Sequence, residues 1–116
     1  MQIEKIEEAV LKEAEKSLCK KRKVGAIIMN VDSTTILARG YNYSTKTQSG
    51  GGCEDANGNT RPDVVHAEIA AINKLAVTTD CVIYVSHEPC DNCQGAIDAA
   101  GLKLVIVNEE EVDMSI

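Results

Sequence analysis

Two short segments hold most of the side chains that could do chemistry. His66-Ala67-Glu68 sets an imidazole two residues before a carboxylate, and Pro89-Cys90-Asp91-Asn92-Cys93 sets two thiols three residues apart. Imidazole nitrogen and thiolate sulfur are favoured zinc donors, and a carboxylate can move protons. A structural zinc site closes with a fourth protein ligand, whereas a catalytic one keeps three and leaves a place for water. The set therefore points to hydrolysis by an activated water. Two thiolates roughly cancel the charge of Zn²⁺, so such a site acidifies its water less than an all-histidine site, where the pKa is about 7. A nearby base is then needed, and Glu68 is the candidate. Spacing alone does not bring Glu68 to His66, because residues two apart on a regular helix face different ways.

The elements that must position these groups follow from periodicity. Ile3, Ile6, Val10, Ala14 and Leu18 recur three and four apart, which predicts an amphipathic helix over 2–19. Residues 24–31 are a near-continuous apolar run and 35–41 are β-branched and apolar, with Asp32-Ser33 as the turn of an antiparallel hairpin. Residues 44–61 are rich in Gly, Asn, Ser and Thr and form a long loop. A helix is expected over 64–76 with Asp63 as N-cap, a strand over 81–86, a helix over 90–100 ended by Gly101, and a strand over 103–107. The two strands around the Cys90 helix should be parallel, because a helical crossover joins them. Both motifs then start helices, whose partial positive charge suits thiolates and a hydroxide. The acidic stretch 109–116 adds an edge element or frays.

With 116 residues, a single domain over 1–116 is expected. The chain has no Phe and no Trp, so its core must be aliphatic. A core this lean favours self-association. The net charge is −6 and only three tyrosines are aromatic, which argues against a long nucleic-acid substrate needing a basic surface and stacking platforms. Neither a signal peptide nor a membrane span is evident. The five cysteines, Cys19, Cys53, Cys81, Cys90 and Cys93, fit a reducing cytoplasm and metal-binding thiols better than disulfides. Cys19 and Cys81 sit in apolar patterns as small core residues, while Cys53 in the polar loop is open to several roles.

The pairing of H-x-E with P-C-x-x-C resembles the signature of the zinc-dependent nucleoside and nucleotide deaminases. Val24-Gly25-Ala26-Ile27-Ile28 resembles the family's first strand, and Gly40-Tyr41-Asn42 its substrate-contacting turn. Cys53-Glu54-Asp55 and the run from Thr60 to Val65 resemble deoxycytidylate (dCMP) deaminases, particularly those of bacteriophages. The resemblance spans about residues 11–107. It implies a three-layer α/β/α fold with a central mixed sheet, and one zinc held by His66, Cys90 and Cys93. It implies that Glu68 takes the water's proton, passes it to ring N3 and later protonates the leaving ammonia, so that dCMP becomes dUMP. It places Asn42 on the sugar hydroxyl and base carbonyl, and the Ala67 backbone with Ser86 or His87 on the amide edge and amino group. Tyr41 or Tyr43 would pack near the substrate. The run Lys20-Lys21-Arg22-Lys23 precedes the strand that leads to the pocket, which makes Arg22 and Lys23 candidates for the 5′-phosphate. A homo-oligomer, dimer or hexamer, is expected, in the cytoplasm or in a host cytoplasm for a viral protein.

Rival readings stay open. Within the class the substrate could be cytosine, cytidine, guanine or a 5-substituted dCMP; acidic charge and few aromatics argue against transfer-RNA adenosine. Outside it, Cys53 could close a four-ligand structural zinc module. Residues 72–77 lack the arginine that regulated viral relatives carry in the second half of the H-A-E helix, which puts activation by dCTP and inhibition by dTTP in doubt.

Overall fold

The structure is a computed structural model, and it describes residues 2–19, 22–44, 64–76, 78 and 80–107. Helix α1 (Ile3–Ala14) is followed by strands β1 (Gly25–Asn30), β2 (Ile36–Tyr41), β3 (Tyr43–Ser44) and β4 (Val64–Val65). Helix α2 (Ala67–Ile72), strand β5 (Cys81–Val85), helix α3 (Asp91–Ala99) and strand β6 (Lys103–Ile106) complete the order. The main sheet runs β2-β1-β5-β6, and β3 pairs with β4 in a small second sheet. The β1–β2 hairpin is antiparallel, as is β1 with β5, while β5 and β6 are parallel across α3.

The apolar runs of β1 and β5 are continuous because both faces of these central strands are covered. Ala26 and Ile28 of β1 and Ile83 and Val85 of β5 turn to one face, where Ala67 and Ala71 of α2 and Ile97 of α3 meet them. Ile27, Met29, Val82 and Tyr84 alternate to the other face, under Ile6 and Val10 of α1. Each fully covered Ile or Val contributes about 1.5–3 kcal/mol over leaving it exposed. The layers are thus helix, mixed sheet, helix, as expected.

Some boundaries differ. α1 ends at Ala14 rather than at 19, and Ser17 and Cys19 are buried in the extended stretch that follows. Val64 and Val65 open no helix; they pair with Ser44 and Tyr43. Two-residue strands carry no readable period, and the β-branched pair favours the pleat once a partner is present. Asp63, the expected N-cap, lies outside the described residues, as do Cys53, Lys20, Lys21, most of the 44–61 loop and the acidic stretch 109–116.

Candidate metal and catalytic site

One end of the main sheet gathers the candidate residues. The start of β1 meets the finishes of β2 and β5, with Gly25 opposite Tyr41 and Ala26 opposite Val85. β3 and β4 continue from that end, so that Val65, paired with Tyr43, delivers His66 there. The loop leaving β5 carries Ser86 to Cys90 into α3. Parallel β5–β6 pairing leaves the start of α3 at the same end.

His66 and Cys90 occupy equivalent positions. Each is the N-cap of its helix, with extended backbone (φ −75°, ψ 151° and φ −71°, ψ 171°), and neither side chain makes the usual capping bond. An N-cap side chain ordinarily accepts an amide from the first turn; here both are left to point elsewhere. The His66 Nδ1 lies 3.5 Å from the Cys90 Sγ and 3.3 Å from the Cys93 Sγ. All three donor atoms fall within 4.8 Å of one another. A tetrahedral zinc with ordinary Zn–N and Zn–S bond lengths spaces such N and S atoms about 3.6 Å apart. The donor set and its spacing therefore fit zinc.

The site has a wet side and a dry side. His66 and Cys90 are exposed, whereas Cys93 and Glu68 are buried at 1% and 3% exposure. Burial pushes the Cys93 thiol well up from its usual value, and the nearby Glu68 carboxylate and Cys90 push the same way. Glu68 thus reaches the ligand cluster. The objection from helical spacing lapses because His66 lies outside the helix, in extended backbone.

Asn42 and Ser86 brace the start of β1. The Asn42 Oδ1 accepts the Val24 amide at 2.9 Å, and its Nδ2 donates to the Arg22 carbonyl at 2.8 Å. This uses half of the amide's hydrogen-bonding capacity and leaves one N–H and one lone pair for another group. It also ties Arg22 and Lys23, both exposed, to the site end of the sheet. The Ser86 hydroxyl, 1% exposed, accepts the next amide, that of Gly25, at 3.0 Å and pairs with His87 Nδ1 at 2.8 Å. Ala67, fully buried, packs against β2.

Tyr41 and Tyr43 meet edge to face, 6.0 Å apart at 61°. They line a separate cleft of about 250 Å³ with Gly40, Ala70, Asn73 and Lys74. Ala70, Asn73 and Lys74 share one side of α2 and the turn after it, and Glu68 faces another way. The expectation of all-thiol cysteines is corrected at one position. Cys19 is disulfide-bonded, whereas Cys81, Cys90 and Cys93 are free. Cys19 leaves the helix for the extended stretch beside Asn42, its Sγ 3.7 Å from that residue's carbonyl oxygen. A disulfide sulfur has no proton to donate, so this is a packing contact.

Spacing did not foretell the two glycines that let the layers close. A Cβ on Gly25 would overlap the Val10 carbonyl and lie 2.7 Å from the Ala14 amide; one on Gly40 would strike the backbone of α2.

Residues 1–109 match the family model described as the cytidine and deoxycytidylate deaminase zinc-binding region. The dCMP deaminase of cyanophage S-TIM5, solved with dCMP and dUMP, superposes with a TM-score of 0.77 at 27% identity, covering 97% of this chain and 88% of that one. ComE operon protein 2 of Bacillus subtilis is 37% identical over 103 residues, 82% of this chain and 52% of that protein. Guanine deaminase of the same organism is 33% identical over 95 residues, 77% of this chain and 51% of that protein. The chain spans about half the length of these two sequence relatives. Among the described residues, no helix is long and apolar enough to cross a membrane. With residues 1–109 matching its family model and His66, Cys90 and Cys93 brought together in a geometry that fits zinc, the chain belongs to the cytidine and deoxycytidylate deaminase family.

Proposed function

We propose that the chain hydrolyses dCMP to dUMP and ammonia. The observation that carries this reading is Glu68, a buried carboxylate close enough to the Cys93 thiol to raise its pKa, beside a three-donor cluster that fits zinc and whose other side is open. Zinc, when bound, supplies a Lewis acid and lowers the pKa of water. Glu68 takes the proton of the attacking water and delivers it to cytosine N3. It then carries the second proton to the amino group, which leaves C4 as ammonia, so water in and ammonia out balance. Its burial keeps bulk water from competing for those protons. The uncommitted N–H and lone pair of Asn42 suit the sugar hydroxyl and base carbonyl. Arg22 and Lys23 supply positive charge for the 5′-phosphate, and the dCMP and dUMP bound by the cyanophage enzyme support a nucleotide. Such a metabolite and its enzyme belong in a cytoplasm.

Ammonia release from dCMP, deoxycytidine, cytosine and guanine tests the reading. dCMP should show the highest kcat/KM. Preference for deoxycytidine or a free base would overturn the nucleotide assignment, and for guanine would favour the activity named for the guanine deaminase relative. No release from any of them would overturn deamination.

The same reading expects a homo-oligomer. Ile3 and Leu11 of α1 and Leu37 on the edge strand β2 are exposed apolar groups that a second copy would cover. A monomer by light scattering at micromolar concentration would sink it.

A further inference from the structure

Asn42 enters the proposed function through its uncommitted N–H and lone pair, and the present inference rests on that reading; what the structure adds is how the residue is held. Three of its polar groups go to the segment that leads into β1. Its backbone amide donates to the Val24 carbonyl at 3.3 Å, its Oδ1 accepts the Val24 amide at 2.9 Å, and its Nδ2 donates to the Arg22 carbonyl at 2.8 Å. These bonds fix which way the side-chain amide faces, because the Val24 N–H needs an oxygen and the Arg22 carbonyl needs an N–H. The fourth group, the Asn42 carbonyl, turns to a different segment and accepts the Ser17 hydroxyl at 2.8 Å.

Ser17 lies just past the end of α1 and is 1% exposed. Its amide donates to the Ala14 carbonyl at 3.0 Å, and its hydroxyl accepts the Cys19 amide at 3.1 Å. An amide can only donate and a carbonyl only accept, so the single hydroxyl proton belongs to Asn42. Ala14 is in turn pressed on β1, where Gly25 leaves no room for a Cβ. α1 covers the sheet face opposite α2 and α3, so Ser17 reaches the site from the layer that carries none of the three metal donors. We propose that Ser17 is a positioning residue that locks the Asn42 peptide, so that the free edge of the Asn42 amide meets the sugar and base of the substrate. The bonds to residues 22–24 all run to one strand entry and act as a hinge. The carbonyl bond, coming from elsewhere, stops the residue from rocking about it.

Two spectra of the isotope-labelled, zinc-loaded protein test the hold without turnover. Buried and bonded, the Ser17 hydroxyl proton should exchange with water slowly enough to give its own resonance in the wild type. The Asn42 carbonyl ¹³C signal, assigned through the Tyr43 amide, should move upfield in Ser17→Ala, which removes the donor. In turnover, Ser17→Ala should raise KM roughly two- to ten-fold, the worth of one hydrogen bond, and by the same factor for dCMP and deoxycytidine, since both carry sugar and base. A purely structural role would instead cost folded enzyme and lower kcat at unchanged KM. A rapidly exchanging Ser17 proton in the wild type overturns the inference, and that spectrum decides even where the variant fails to fold. An unmoved Asn42 carbonyl signal, an unchanged KM, or a rise confined to dCMP overturns it too. If neither substrate is deaminated, the proposed function fails, while the two spectra still decide whether Ser17 holds Asn42.

Discussion

Gly40 lies against the first turn of α2 so closely that a methyl group in its place would overlap the carbonyl oxygen of Ala67. The same methyl would lie 2.6 Å from the amide nitrogen of Ala71. Both are backbone atoms and cannot rotate away, so β2 or the helix must move. That helix carries Glu68 and is entered through His66. Gly40→Ala should therefore cost about 1–3 kcal/mol of stability, the usual range for overpacking. Turnover should fall on the order of 10²-fold, since a displacement of about 1 Å at a reacting group has that effect. Thermal unfolding and kcat, measured on the same preparation, check both; a variant with wild-type values of each would show that the layers can part at no cost.

Zinc should bind once per chain through His66, Cys90 and Cys93. Cys90→Ser and Cys93→Ser should each hold well under one equivalent by metal analysis, and full retention in both would remove the assignment. The pH dependence has a definite sign. Burial holds the Cys93 thiol protonated at neutral pH, so binding must displace a proton, and apparent affinity should rise about tenfold per pH unit for each proton released. A folded-state pKa raised above the unfolded value gives stability that is present below the unfolded thiol pKa, about 8.5, and lost as pH rises above it. The metal-free protein should thus lose stability above about pH 8.5. Flat affinity between pH 6 and 8, roughly the range in which a displaced thiol proton would register, contradicts the buried-thiol picture.

Glu68→Gln keeps the shape of the side chain and removes its capacity to take a proton. Zinc content should stay near one per chain, because Glu68 is not among the three donors. On the proposed mechanism several proton transfers pass through this carboxylate, so turnover should fall by at least the ~10²–10⁴-fold typical of a general acid–base group. Near-normal kcat with bound zinc would take Glu68 out of the mechanism.

Arg22→Ala and Lys23→Ala should lower kcat/KM for dCMP and leave deoxycytidine little changed. If Arg22 and Lys23 hold the 5′-phosphate as proposed, each variant loses a charge-assisted contact of about 1.5–3 kcal/mol, or roughly ten- to over a hundred-fold. Both side chains are exposed on the segment that Asn42 braces, so the fold should be unaffected. Wild-type handling of dCMP by both variants would mean that the phosphate is held by other residues.

The sequence alone singled out His66, Cys90 and Cys93, which the fold brings within 4.8 Å of one another, because imidazole and thiol spacing are local and chemically restrictive. It was also enough for the layer order. The period of α1, the two-faced apolar runs of β1 and β5, and the crossover through α3 are properties of neighbouring residues. What tertiary structure decided lies across distance. His66 meets Cys90 and Cys93 because β4 pairs with β3 and delivers it in extended backbone, and a two-residue strand leaves no period to read. The clamps on β1 join residues 18 and 61 positions apart, so no local pattern announces them. Gly25 and Gly40 look like ordinary strand glycines until a helix backbone is packed against each. Local periodicity encodes what an element is; which atoms it meets depends on the layers closing, and only the folded chain brings those atoms within hydrogen-bonding or van der Waals reach.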